Sequence, residues 1–226
     1  MDKHRNRTHG RRKGKSLRAN QKALLEQLLP VVSLDLSRVS GEVAGSFAQP
    51  PSDIWLEIGF GGGEHLLGVA ARKPTIGFIG CEPFINGVAK ILTGIQEQGL
   101  SNIRLHPGDA VDLMNALPDA SIGRIYILYP DPWPKPRQRK RRFITEDNLQ
   151  LMARVLAPGG QLRFASDIAE YCSWTLKKFS ASEFFADDRP AGASREQPWV
   201  HWESTKYENK AQREGRSTSY FIFRRK

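Results

Sequence analysis

Asp53-Ile54-Trp55-Leu56-Glu57-Ile58-Gly59-Phe60-Gly61-Gly62-Gly63 is an apolar run that breaks into glycines. Ile54–Ile58 reads as a short buried strand, the glycines as a tight turn, and the stretch from about Glu64 to Arg72 as a helix. The same alternation continues outward. Strands are expected at Ile76–Cys81, Ile103–His106, Arg124–Leu128 and Gln161–Ala165, with a last one at Ser219–Phe223. Helices are expected at Ile85 to Gln98, Asp112–Leu117, Glu146–Leu156 and Ile168–Phe179. Apolar strands alternating with helices predict an α/β fold, a doubly wound and mostly parallel sheet with helices on both faces. In such sheets ligands bind beyond the carboxyl ends of the strands. Upstream, Gly41 to Ser52 reads as a connection, and Ala23 to Leu29 as a short helix ending at Pro30. The chain therefore divides into residues 1–50, a basic and partly flexible extension, and residues 51–226, the α/β domain.

The charge points to a polyanion. The 226 residues carry a formal net charge of +10, and eight Lys or Arg stand between Met1 and Arg18 against one acid, Asp2. A hydrophobic content of 39% fits a folded protein. No apolar run is long enough to span a membrane, no secretory h-region follows the basic start, and no membrane partner is expected. Cys81 and Cys172 are too few for a disulfide framework and read as reduced thiols in a cytoplasmic protein; five scattered His predict no metal. Nothing in the sequence separates a monomer from a homodimer.

Three acids follow three successive strands. Glu57 precedes the glycine turn, in an E-x-G-x-G-x-G pattern, and suits a cation such as an ammonium or sulfonium. A dinucleotide fingerprint would need glycine where Glu64 stands, which disfavours a nicotinamide oxidoreductase. Glu82 closes the second strand, where a carboxylate accepts from ribose hydroxyls. Asp109 and Ala110 follow the third, within reach of an adenine amino group. Each acid alone is ordinarily a helix cap or a surface charge. Together the pattern resembles the Rossmann-like S-adenosylmethionine-dependent methyltransferases. That resemblance implies a seven-stranded sheet and S-adenosyl-L-methionine as cofactor, held by Glu57, Gly59, Gly61, Gly63, Glu82, Asp109, Ala110 and Asp131.

The loop after the fourth strand narrows the reading. Tyr129 to Arg142 reads Y-P-D-P-W-P-K-P-R-Q-R-K-R-R, and six of the eight residues from Lys135 onward are Lys or Arg. The prolines hold φ near one value and stiffen the loop. A rigid carboxylate, a flat ring and a cationic block suit chemistry on a nucleic-acid base. Trp133 is placed either to stack on that base or to pack on the sheet, and the sequence leaves both open. With Ala165-Ser166-Asp167 and Thr205-Lys206-Tyr207-Glu208-Asn209-Lys210, this loop closely resembles the tRNA (guanine-N7-)-methyltransferase family. The resemblance implies tRNA as partner and methylation of the variable-loop guanine at position 46. It implies Asp131 as the catalytic residue and substrate binding by Lys135, Asp167, Thr205, Lys206, Tyr207 and Glu208. Contact with tRNA falls to Arg137, Arg139, Lys140, Arg141 and Arg142. Gln138 stands where that family carries His, and Ser166 where Thr is usual.

Chemistry supports the assignment. Guanine N7 has a lone pair and no proton, so methylation there needs placement rather than a base. Asp131 is positioned to stabilise the positive charge that reaches the ring. Glu208 and Asp167 are the expected readers of guanine N1–H and its exocyclic amine, with Lys135 donating to O6. The rivals are an amino-methyltransferase, which would carry a second proline where Trp133 stands, and a non-catalytic RNA binder, which has no use for the four acids.

Overall fold

A computed structural model of the protein describes residue 10, residues 12–190 and residues 192–226. The basic arm expected at residues 1–20 falls partly outside these.

The centre of the molecule is a seven-stranded sheet in the order β3-β2-β1-β4-β5-β7-β6. Its strands are β1 (Asp53–Ile58), β2 (Ile76–Cys81), β3 (Ile103–His106), β4 (Ile122–Leu128), β5 (Leu156–Ser166), β6 (Phe185–Asp187) and β7 (Ser219–Arg225). β1 to β5 run parallel; β7 is antiparallel to both β5 and β6. Strand order reverses between β2 and β4, on either side of β1, so a crevice opens above the glycine turn.

Side-chain alternation along β1 divides the core in two. Ile54, Leu56 and Ile58 face a cluster built with α5 (Ala110–Ala116), α6 (Glu146–Val155) and α7 (Ala169–Ser180). Trp55 faces the other, built with α3 (Glu64–Arg72) and α4 (Ile85–Gln98) and joined by Leu24 and Val32 of α1 (Ala19–Gln27) and α2 (Leu29–Val32). Helices therefore cover both faces.

Four features differ from the sequence expectation. The first helix begins at Ala19, and Pro30 does not end it. It sits in the first turn of α2, where its missing N–H has no helical partner to lose. Leu34 N donates to Leu105 O at 2.9 Å beside β3, and Val39, Val43 and Phe47 enter the same core as Ile54. The boundary drawn at residue 50 is thus not a structural one. β5 starts at Leu156, five residues before the expected Gln161, because Ile122 pairs with Leu156 ahead of a bulge. Finally, α8 (Lys206–Arg213) and the three-residue β6 lie in stretches to which the sequence assigned no element.

Candidate active site

The glycine turn works through its backbone. Gly59, Gly61 and Gly63 have φ of 76°, 57° and 84°, left-handed values that side-chain-bearing residues avoid. Gly61 N donates to Glu82 Oε2 at 2.8 Å, and Phe84 N donates to Glu82 Oε1 at 2.9 Å. Glu82 thereby ties the turn after β1 to the end of β2. Burial pushes its carboxyl above the ordinary value, the two backbone donors oppose that, and the charge of Asp131 adds to it. A Cβ on Gly87 would overlap the Gly61 carbonyl oxygen, so α4 approaches the turn as closely as only glycine permits. Asp109 caps α5, accepting from Val111 N at 2.9 Å.

A cavity of about 340 Å³ opens at these strand ends. Gly59, Gly61, Glu82, Asp109, Ala110 and Asp131 all line it, together with Phe84 and Tyr207. Asp131 stands where solvent reaches it, yet the surrounding protein is dense enough to push its carboxyl above the ordinary aspartate value.

The far wall is the loop after β4. Tyr129 (φ 51°) and Trp133 (φ 41°) both adopt left-handed backbone. Tyr129 N donates to Ala165 O at 2.8 Å and its hydroxyl to Thr218 Oγ1 at 3.2 Å, which anchors the loop's start. The Tyr129 and Tyr207 rings face each other at 6.3 Å and 21°. Trp133 lines the cavity with the Arg141 guanidinium 5.0 Å from its ring. Lys135, Arg137, Lys140 and Arg141 are exposed.

Tyr207 reaches the cavity because α8 aims it there. Thr205 Oγ1 accepts from Glu208 N at 3.2 Å and starts the helix; Glu208 and Ala211 turn inward and Tyr207 outward. Lys206 Nζ lies 3.7 Å from Glu64 at the mouth of α3.

Several expected residues stand elsewhere. Glu57 is buried on the Trp55 side of β1, under α3, and its Oε2 is 2.6 Å from His65 Nδ1; strand alternation turns it away from the cavity. Gly63 caps α3, with Ile91 packed against it. Glu208 is buried with its carboxylate accepting from Trp202 Nε1 at 2.7 Å and from the Tyr220 hydroxyl, so it does not face a base. Asp167 is ion-paired with Arg216 at 2.7 Å. Arg142, expected to touch phosphate, has a side chain wholly out of solvent, with Nε donating to Pro132 O at 2.8 Å. Its guanidinium is enclosed by the Tyr171 and Trp174 rings, which is why it does not reach the surface. Sequence reasoning gave Tyr129 no role, although it occupies the strand-end position that singled out the acids. Among the described residues no cluster of three or more His, Cys, Asp or Glu is arranged to hold a metal, and no helix is long and apolar enough to cross a membrane.

Comparison with known proteins agrees with the architecture. Solved structures of the 16S rRNA methyltransferase KamB and of an antibiotic-related methyltransferase superpose with TM-scores of 0.53 and 0.55, covering 77% and 85% of this chain and 88% and 94% of theirs. At 15% and 19% identity they speak for the fold alone: a Rossmann-like class I methyltransferase fold. A family model described as "Putative methyltransferase" matches residues 51–220. Proteins of Nitrobacter hamburgensis and Rhizobium meliloti, both named tRNA (guanine-N(7)-)-methyltransferase, are each 49% identical to it. Each alignment spans 96% of this chain, and 85% and 94% of those proteins respectively. With a cavity at the strand ends, an acid-bearing Pro-Trp loop beside it and relatives this close along nearly its whole length, the chain belongs to the tRNA (guanine-N7-)-methyltransferase family.

Proposed function

We propose that the protein transfers the methyl group of S-adenosyl-L-methionine to N7 of guanine 46 in the variable loop of tRNA. One observation carries this reading: Glu82, Asp109 and Asp131, from the ends of three different strands, line a single cavity flanked by the exposed Lys140 and Arg141.

The residues present suit the donor. A cavity of about 340 Å³ is within the range of small-molecule sites. Its acids suit hydroxyl donors and a cationic sulfur, and the left-handed glycines let backbone approach a ligand. When bound, the donor supplies an electrophilic methyl group. Glu82 keeps acceptor capacity on both oxygens after its two backbone bonds and takes the ribose hydroxyls. Asp109 marks the adenine end. Tyr129, Trp133 and Tyr207 offer flat faces for the target base, and Arg137, Lys140 and Arg141 neutralise tRNA phosphates. No side chain removes a proton, because N7 has none to lose. The chain's task is alignment, which contributes up to about 7–11 kcal/mol, and stabilisation by Asp131 of the positive charge that develops on the ring.

The test is methyl transfer from labelled S-adenosyl-L-methionine to unmodified tRNA, with nucleoside analysis and mapping of the modified position. Label in 7-methylguanosine at position 46 is the expected result. Label in another nucleoside or at another guanine overturns the assignment of substrate atom or position.

A further inference from the structure

Beyond its anchor at Tyr129, the loop that carries Asp131 is short of backbone donors. Pro130, Pro132, Pro134 and Pro136 have no N–H, and Trp133 sits in left-handed backbone that its surroundings must sustain. The carbonyls after Asp131 need donors from outside the proline run. Arg142 supplies them. Its Nε donates to Pro132 O at 2.8 Å, and its Nη2 stands 3.5 Å from Trp133 O, over the two residues that follow Asp131.

Arg142 is held in turn by the first turns of α7. Its guanidinium carbon lies 5.1 Å from the Tyr171 ring and 5.0 Å from the Trp174 ring, and Nη2 donates to Glu170 Oε2 at 2.6 Å. The other oxygen of Glu170 is 3.0 Å from Arg139 Nη2. The Arg142 side chain is 0% exposed and that of Glu170 44% exposed, so one carboxylate spans from the exposed basic segment to the buried guanidinium. Burying a guanidinium carries a desolvation cost that an apolar side chain between the same two rings would avoid. What arginine adds is direction, through a rigid planar fork of donors.

We infer that Glu170 and Arg142 are a positioning pair for methyl transfer: Glu170 orients the Arg142 guanidinium, and Arg142 fixes peptide units 132 and 133 so that Asp131 keeps its place at the cavity. The inference rests on the assignment of Asp131 made above. Glu170 lies outside the cavity lining and the Arg142 side chain is out of solvent, so both act through the loop.

The Glu170 side chain is 44% exposed, so its replacement removes an ion pair rather than core packing. Glu170→Ala is expected to lower kcat, at saturating donor and tRNA, by about tenfold or more, since small misplacements of aligned groups are costly. The Kd for S-adenosyl-L-methionine, measured by calorimetry, should stay within about twofold of wild type, because Glu82 and Asp109 are untouched. Glu170→Gln keeps an acceptor for Arg142 and should recover much of the loss. Arg142→Lys, which keeps the charge but loses the fork, should repeat the kcat defect. Glu146→Ala removes another ion pair of α7, with Lys178 at 2.8 Å, and should leave kcat unchanged. A Glu170→Ala enzyme with wild-type kcat overturns the inference, as does a kcat loss matched by an equal loss of donor affinity. Failure of the wild type to methylate tRNA guanine would instead remove the assignment of Asp131, and the pair's role with it.

Discussion

The two walls of the cavity are built on different principles. The wall at β1, β2 and β3 is made of backbone and short acids: left-handed glycines, Glu82 bridging two N–H groups, Asp109 capping α5. The wall after β4 is made of long side chains whose direction depends on distant partners: Arg142 held against α7, Tyr207 carried by α8, Tyr129 tied to Thr218. The first wall is fixed by local chain geometry and the second by packing across the molecule. A mutation in the first should act on the donor, and one in the second on the tRNA step or on the fold.

Asp131→Asn is the sharpest test of that division. On the proposed mechanism it lowers kcat by about 10²–10³-fold, the scale of losing one preorganised electrostatic group, while donor affinity holds. The surrounding protein raises the Asp131 carboxyl above the ordinary aspartate value, so its ionisation costs more in the folded protein than in the unfolded chain. The same variant should therefore raise Tm at pH 7, a gain that fades as pH falls through the elevated value and protonates the wild-type group. Near-normal turnover would erase the distinction between the walls.

Salt comes next. With Arg137, Lys140 and Arg141 as the exposed phosphate contacts, raising monovalent salt from about 50 to 200 mM should weaken tRNA binding roughly 20- to 40-fold. Donor affinity should barely change. A flat tRNA response would place the phosphate contacts elsewhere. Gly87→Ala probes the first wall: forcing a methyl group against the Gly61 carbonyl should cost about 1–3 kcal/mol of stability and loosen donor binding. Unaltered donor affinity would show that the close approach of α4 is incidental.

Glu208→Gln addresses a residue that sequence and structure place differently. Read from the sequence, it should impair guanine recognition. Read from its bonds to Trp202 and Tyr220, it should cost about 1–3 kcal/mol of stability, seen in chemical denaturation, with guanine preference intact. The smallest effect is on the acid limb of kcat/KM. It should begin above the pH expected for an ordinary aspartate and disappear in Asp131→Asn.

What the sequence discloses follows the same division. β1 to β4 and helices α3 and α4 are legible because each is an apolar or amphipathic run closed by Gly, Pro or an acid, a signal contained within a few residues. Glu82, Asp109 and Asp131 are legible for the same reason, being strand-end positions. Glu57 is not: period-two alternation puts it on the Trp55 side, but only the placement of His65 on α3 shows that this side is closed. Arg142 looks like its neighbours in a cationic block, and nothing local reveals that Tyr171, Trp174 and Glu170 enclose it. α8 is too polar to show an apolar stripe, with only Glu208 and Ala211 buried. Its one local signal is the Thr205-x-x-Glu208 spacing of a helix start, which a capping-box search would find.

The prolines around Asp131 also determine how motion there is to be observed. Four of the eight residues from Tyr129 to Pro136 carry no amide proton, so amide hydrogen exchange and amide-detected NMR sample this stretch mainly at alternate positions. The indole of Trp133, which lines the cavity beside Arg141, fills that gap. A fluorinated tryptophan at this one position would register both the seating of the loop and the arrival of the base as changes in a single resonance.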